Sequence, residues 1–182
     1  MNKIVKNTLI LTLITVIAGV LLGAVYEVTK TPIAQSQETA KKEAWQAVFP
    51  EADINEFEAV DVDEKVAEAA IKAVGAKATV DEVCKVGEEG YVITTTDKEG
   101  YGGDIKFAMG VKDDGTMTGI SFLSISETAG MGMRADTDDF KDQFKDRKTE
   151  KITYTKTGAT GADQIDALSG ATITTNAMTN GV

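Results

Sequence analysis

The sequence predicts an α+β protein: one N-terminal transmembrane helix, then an extracytoplasmic domain with a twisted antiparallel sheet and flanking helices. An uncharged, mostly apolar run occupies residues 8–26. From Val80 onward, segments rich in β-branched and aromatic residues alternate with turn signals. We therefore divide the chain into a cytoplasmic N-terminus (1–7), a transmembrane helix (8–26), a membrane-proximal helical or mixed region (27–79) and a C-terminal domain (80–182).

Residues 8–26 are long enough to cross a membrane. As a helix rising 1.5 Å per residue they span roughly 28 Å, close to the hydrocarbon thickness of a bilayer. Lys3 and Lys6 precede the run and Glu27 follows it, so the positive-inside tendency predicts a cytoplasmic N-terminus, with everything after Tyr26 outside. A cleaved signal peptide is the competing interpretation. The length of the run favours a retained single-pass anchor in the bacterial cytoplasmic membrane.

The membrane-proximal region opens with a predicted helix over residues 27–49. Thr31-Pro32 is typical of a helix start, because proline suits the first turn, and Pro50 is expected to end the element. Trp45 and Phe49 are expected to fill a core.

The remaining elements follow from turn signals and β-forming runs. We expect a short strand at residues 57–60 and a helix from Lys65 to Val74 that ends near Gly75. Further strands are expected at residues 91–96, 105–111 and 118–126, with Asp113-Asp114-Gly115 as a hairpin turn and a short helix at 139–144 that packs its phenylalanines inward.

Charge and composition exclude several classes of function. The net charge is −10, and beyond residue 27 it is 17 basic minus 28 acidic residues, or −11. This disfavours a nucleic-acid partner, which requires a basic surface. The chain contains no histidine, so a Ser-His-Asp triad and a histidine-based zinc site are impossible. Cys84 is the single cysteine and is expected to be a small buried side chain. We assign no catalytic residue and no metal site.

Residues 166–175 are an unusual stretch of small and hydroxyl-bearing residues. They contain four hydroxyl groups and one upstream carboxylate, without histidine, cysteine or lysine. Gly170 and Ala171 would let another molecule approach the backbone closely. From the residues alone, the simplest interpretation is a strand followed by a helix start, with Ser169 or a threonine as N-cap.

The pattern Asp-x-x-Ser-Gly-Ala-Thr within this stretch resembles the flavinylation signature of the FMN-binding domain found in the G subunit of Rnf complexes. The same signature occurs in the C subunit of the sodium-pumping NADH:quinone oxidoreductase. In that family a flavin transferase moves FMN from FAD onto the threonine hydroxyl. The resemblance implies a covalent FMN phosphoester at Thr172. It makes the hydroxyls of Thr174 and Thr175 the fallback attachment sites, and it implies that the transferase recognises Asp166. All five specified positions match: Asp166, Ser169, Gly170, Ala171 and Thr172.

A second candidate is the loop at residues 126–132, directly after a predicted strand. Two glycines, two residues apart, permit a tight loop whose N–H groups could face an anion. The alternative is an ordinary strand-to-helix loop with an exposed glutamate. The loop is similar to the family's Ser/His-x-Glu-Thr-Pro-Gly-x-Gly segment beside the flavin, with Ala129 in place of the proline. The resemblance places Glu127 and Thr128 near the isoalloxazine, and has Gly130 and Gly132 shape the pocket.

The resemblance extends over nearly the whole chain, and we assign the FMN-binding domain to residues 80–182. Within it, residues 100–105 match the segment with which the family's domain usually opens. It implies an electron carrier in an Rnf complex that transfers electrons between ferredoxin and NAD, coupled to Na+ or H+ translocation. The implied partners are the membrane, the other membrane and redox subunits, and the flavin transferase during maturation. Three alternatives remain: the C subunit of the sodium-translocating quinone reductase, a membrane-anchored binding module without flavin, and a structural assembly subunit.

Overall fold

The computed structural model describes residues 2–182, apart from the side chain of Glu64. The chain forms two compact units, one ending at Thr39 and the other running from Ala40 to Val182. Helix α1 spans Lys3–Val48 and therefore contributes to both units. In the described part of the chain, α1 is the one helix long and apolar enough to cross a membrane.

The predicted helix start at Thr31-Pro32 is wrong, because α1 continues through Pro32. A proline inside a helix lacks one N–H group and so removes one backbone hydrogen bond. Helix-forming alanine, glutamine, glutamate and lysine residues follow it, and the helix tolerates the loss. The predicted end is confirmed, since α1 stops at Val48, two residues before Pro50.

The core of the second unit is a five-stranded antiparallel sheet, which confirms the predicted fold class. Its strands lie side by side in chain order, each paired antiparallel with the next. Helix α2 (Glu64–Val74) connects the first two strands and ends at Gly75, which adopts a left-handed conformation with φ 71°. The strands are β1 (Phe57–Val60), β2 (Thr79–Val86), β3 (Gly90–Asp97), β4 (Ile105–Lys112) and β5 (Met117–Ser124).

Each face of the sheet is covered by a different part of the chain. On one face, Trp45 and Phe49, at and just beyond the end of α1, pack with Cys84 in a buried cluster. On the other face, Phe107 and Met178 belong to a larger cluster. Successive residues of a strand point to opposite faces, so β4 contributes to both clusters. Trp45, Phe49 and Cys84 are buried, as predicted.

The C-terminal elements lie on the second face and position the hydroxyl-rich stretch. The predicted short helix is α3 (Asp138–Lys141), continued by a 3-10 turn (Asp142–Phe144). Its two phenylalanine rings are buried edge to face, 5.5 Å apart. Strands β6 (Thr153–Thr155) and β7 (Gln164–Asp166) then form a parallel pair, followed by helix α4 (Thr172–Gly181). The β6–β7 pair is not predictable from local pattern, because three-residue strands carry too little of it.

Candidate functional site

A cavity of about 430 Å³ opens where the loop after β5 meets the N-terminus of α4. Its size falls within the range of small-molecule sites, which is about 300–1,000 Å³. The two candidate stretches, which are well separated in the sequence, thus meet in one place. The cavity is lined by Tyr101, Glu127, Thr128, Met131, Gly132, Gly170, Ala171, Thr172, Ile173 and Thr174.

Glu127 ties together three segments around this cavity. Its side chain is buried, with 7% of its surface exposed. One carboxylate oxygen, Oε1, accepts a hydrogen bond from the Gly102 N–H at 3.0 Å, and the other, Oε2, accepts one from the Thr174 hydroxyl at 2.8 Å. The alternative of an exposed glutamate that only closes a turn is therefore wrong. Glu127 holds the loop before β4 and the first turn of α4 in fixed positions.

Two glycines are required by the close packing of the loop that carries Glu127. A Cβ atom at Gly132 would lie 2.4 Å from Glu127 Oε2 and 2.6 Å from Thr174 Oγ1. A Cβ atom at Gly102 would lie 2.1 Å from the carbonyl oxygen of Ser126. Gly130 serves a different purpose: open space surrounds it, but its φ of +74° strongly favours glycine.

The four hydroxyl groups of the C-terminal motif lie in different environments. Thr174 is buried and donates to Glu127. Thr175 is also buried, donates to the Ala171 carbonyl at 2.9 Å and accepts from the Leu168 N–H at 3.1 Å. Ser169 is exposed and lies outside the cavity lining. Thr172 lines the cavity, is partly exposed, and its hydroxyl has no hydrogen-bond partner within residues 2–182.

The N-terminus of α4 is left without a side-chain cap. The N-cap position is Ala171, whose methyl group cannot accept a hydrogen bond. The expected N-cap at Ser169 or a threonine is therefore wrong. The first N–H groups of a helix need partners, and the helix dipole gives them positive character. An uncapped ten-residue helix that begins at Thr172 thus presents an anion-binding end to the cavity.

Asp166 lies outside the cavity and has a local structural role. Its carboxylate Oδ1 accepts a hydrogen bond from the Ala159 N–H at 2.7 Å. Its own backbone is held by Gln143, whose side-chain Oε1 accepts from the Asp166 N–H at 2.6 Å. Arg147 donates to the Ala162 carbonyl at 2.7 Å and so secures the segment that leads into β7. These contacts place β7 immediately before the motif.

The cavity gathers most of the predicted site residues and adds some that the sequence analysis missed. The predicted residues in its lining are Glu127, Thr128, Gly132, Gly170, Ala171, Thr172 and Thr174. The predicted residues outside the lining are Asp166, Ser169, Gly130 and Thr175. The added residues Tyr101, Met131 and Ile173 are large, apolar and exposed around the cavity. Tyr101 and Met131 each stand next to glycines, a pattern that could have marked them as exposed contact residues.

The lining suits a flat aromatic ligand that carries a phosphate. The exposed ring of Tyr101 and the side chains of Met131 and Ile173 offer apolar contact to a ring system. The helix end at Thr172 offers N–H groups to the phosphate. No lysine or arginine is among the lining residues in the described part of the chain, so the helix terminus is the local source of positive potential.

Both the N-terminal and the C-terminal part of the chain match known protein families. Residues 100–182 match the FMN-binding domain family, and residues 1–48 match the RnfG N-terminal region. The chain is 32% identical to the G subunit of the proton-translocating ferredoxin:NAD(+) oxidoreductase complex of Clostridium ljungdahlii, covering 100% of this chain and 89% of that protein. It is 33% identical to the G subunit of the Na(+)-translocating ferredoxin:NAD(+) oxidoreductase complex of Acetobacterium woodii, covering 97% and 87%.

Among solved structures, the fold is similar to the C subunit of the Na(+)-translocating NADH-quinone reductase of Parabacteroides distasonis. The TM-score is 0.56 at 21% identity, over 81% of this chain and 86% of that one. The apolar helix α1 together with these membrane-complex relatives indicates a single-pass membrane protein. The chain belongs to the G-subunit family of the Rnf ion-translocating oxidoreductase complexes and contains an FMN-binding domain.

Proposed function

We propose that this chain is a covalent-FMN electron carrier of a membrane Rnf complex. The complex would pass electrons between ferredoxin and NAD, coupled to Na+ or H+ translocation, as the names of its relatives describe. The FMN supplies reversible electron uptake, and the protein supplies its position and electrostatic surroundings. The other subunits of the complex are the partners, and a flavin transferase attaches the FMN.

The observation that carries the proposal is the state of the Thr172 hydroxyl. Thr174 and Thr175 are buried and already hydrogen-bonded, so modifying either would break a contact that holds the site together. Thr172 lines the cavity and its hydroxyl is free within the described residues. A phosphoester there would put the phosphate at the uncapped N-terminus of α4.

A covalent bond also suits the charges of the site. With Glu127 buried beside the cavity and no basic side chain in its lining, the described residues offer free FMN phosphate backbone N–H groups and neutral hydroxyls, but no cationic side chain. Noncovalent retention by one helix end would be weak, because such a terminus contributes only about 0.3–1 kcal/mol at an exposed site. A phosphoester keeps the flavin bound without a basic clamp.

The attachment test is the intact mass of the full-length chain, co-expressed with its flavin transferase. We expect an FMN-sized increment on the wild type and none on Thr172→Ala. Thr179→Ala is the matched control, because Thr179 lies on the same helix and donates only to carbonyls of α4. Fluorescence of Trp45, the single tryptophan, verifies that each variant is folded. An FMN increment on Thr172→Ala that maps to Thr174 would overturn the assignment.

We further propose that the FMN domain is extracytoplasmic and the N-terminus is inside. The support is the pair Lys3 and Lys6 before the apolar run, which favours retention of that end in the cytoplasm. Protease added to cells with a permeable outer envelope should cut the chain beyond Tyr26. Protection that persists until the inner membrane is broken would reverse the topology.

A further inference from the structure

The sheet has an incomplete edge beside α2. Strand β1 pairs with β2 only from Phe57↔Val86 to Val60↔Val83. β2 begins earlier, at Thr79, so residues 79–82 have β3 on one side, with a register shift at Asp81, and no strand on the other within the described chain. An unpaired strand edge exposes N–H and C=O groups that can accept another strand.

A groove of about 400 Å³ lies along this open edge. Helix α2 forms one wall through Ala67 and Ile71, and the open part of β2 forms the other. The end of β1 and the segment that follows it add Val60, Asp61 and Val62 to the lining. The groove lies in the same compact unit as the flavin cavity but shares no lining residue with it.

The surface around the groove is unusually apolar for an exposed region. Helix α2 has no buried side chain among those described, although seven of its eleven residues are valine, isoleucine or alanine. Eight large apolar side chains are exposed in the described part of residues 40–182, and three of them surround the flavin cavity. Four others lie on β1, on α2 or between them: Val60, Val62, Val66 and Val74. Of these four, Val60 and Val62 line the groove itself, and exposed apolar side chains at a groove favour an interaction site.

The charges of the groove specify the partner. Two of its carboxylates have cations within the domain: Glu82 pairs with Lys41 at 3.2 Å, and Asp81 pairs with Lys106 at 2.9 Å. The other two, Asp61 and Glu68, form no ion pair in the described part of the chain. Both line the groove and are exposed, so they are available to pair with basic side chains of a partner.

We propose that a basic, extended segment of another subunit of the complex lies in this groove as an added strand. Its backbone would pair with residues 79–82, an apolar side chain would contact Ala67 and Ile71, and lysine or arginine side chains would reach Asp61 and Glu68. A second copy of this chain is disfavoured, because each copy carries a net charge of −10. Anionic lipid is disfavoured by the same carboxylates.

The test uses photo-crosslinking in the purified, assembled complex. A benzoylphenylalanine placed at Val62 reports on the groove. The control is the same probe at Tyr91 on β3, because the two native side chains are almost equally exposed, at 37% and 38%. We expect Val62 to crosslink to another subunit of the complex and Tyr91 not to crosslink to that segment. Mass spectrometry of the adduct should identify a lysine- or arginine-containing segment.

A charge-reversal pair tests the electrostatic part. Asp61→Lys with Glu68→Lys should reduce the Val62 crosslink about tenfold, because opposed like charges disfavour the wrong pairing strongly. The control, Glu88→Lys with Glu89→Lys, makes the same change in net charge at the exposed β2–β3 turn. This control should leave the yield of the Val62 crosslink unchanged. Trp45 fluorescence verifies folding in both backgrounds. Hydrogen exchange at residues 79–82 should be slower in the complex than in the isolated full-length chain.

Four results would overturn the proposal. They are no crosslink from Val62 to another subunit, a crosslink to a second copy of this chain or to lipid, a crosslink that survives Asp61→Lys with Glu68→Lys, and unchanged hydrogen exchange at residues 79–82. The readouts do not use the flavin, so they stand whether or not Thr172 carries FMN.

Discussion

Replacement of Thr174 by valine tests whether its hydroxyl is a structural hydrogen-bond donor or the attachment point of the flavin. The structure makes this hydroxyl a hydrogen-bond donor to the buried Glu127 carboxylate at 2.8 Å, and not the attachment point of the flavin. Valine has nearly the same shape, so packing is retained and the hydrogen bond is lost. A hydrogen bond to a charged group contributes about 1.5–3 kcal/mol. We therefore expect Thr174→Val to lower the free energy of unfolding by about 2 kcal/mol.

The assay is urea unfolding of the full-length chain in detergent, followed by Trp45 fluorescence. A loss of that size should move the unfolding midpoint down by about 1 M urea. Thr179→Val is the control on the same helix, because the Thr179 hydroxyl donates only to carbonyls of α4. Its free energy of unfolding should stay within about 0.5 kcal/mol of the wild type. Thr174→Val should still carry the FMN mass increment. Equal midpoints for Thr174→Val and the wild type, or loss of the flavin from a folded Thr174→Val chain, would refute the reasoning.

Three further predictions follow from buried groups. Glu127→Gln should keep its FMN and shift the flavin's reduction potential upward, because a nearby negative charge opposes electron uptake; redox titration with an unchanged potential would leave Glu127 a purely structural role. Burial raises the pKa of Asp97 above its ordinary value of 3.8, opposed in part by the hydrogen bond from the Glu99 N–H. The folded state therefore holds the Asp97 proton more tightly than the unfolded state does. The resulting stabilisation of the fold is present below the pKa of the unfolded state and is lost as the pH rises through the pKa of the folded state. Asp97→Asn should therefore unfold at higher urea than the wild type at pH 8, with the gain shrinking toward pH 4, and a pH-independent difference would contradict this. Burial likewise raises the pKa of the Cys84 thiol to about 11, so iodoacetamide at pH 8 should label it only after unfolding, and rapid labelling of the folded chain would show that the site opens.

The order and type of most elements could be predicted from local pattern. Alternating β-forming residues and turn signals predicted the strands, because a half-buried strand must alternate its side chains between two faces. The apolar run predicted the membrane helix, because its length matches a bilayer. The predicted helix start at Pro32 was wrong. Helix α1 continues there, because the loss of one backbone hydrogen bond costs less free energy than the rest of the helix contributes.

Composition and motif spacing limited the chemistry that is open to this protein. The lack of histidine removed the Ser-His-Asp triad and histidine-based zinc sites, and the spaced Asp-x-x-Ser-Gly-Ala-Thr pattern pointed to a covalent flavin. The resemblance put Thr172 first among the four hydroxyls of the motif, but local pattern could not show which of them is available, because a hydroxyl's availability depends on what is packed against it. Tertiary packing set Thr174 and Thr175 in hydrogen bonds and left Thr172 facing a cavity. The same holds for Glu127, whose burial comes from segments distant in the chain, Gly102 and Thr174, that fold around its carboxylate.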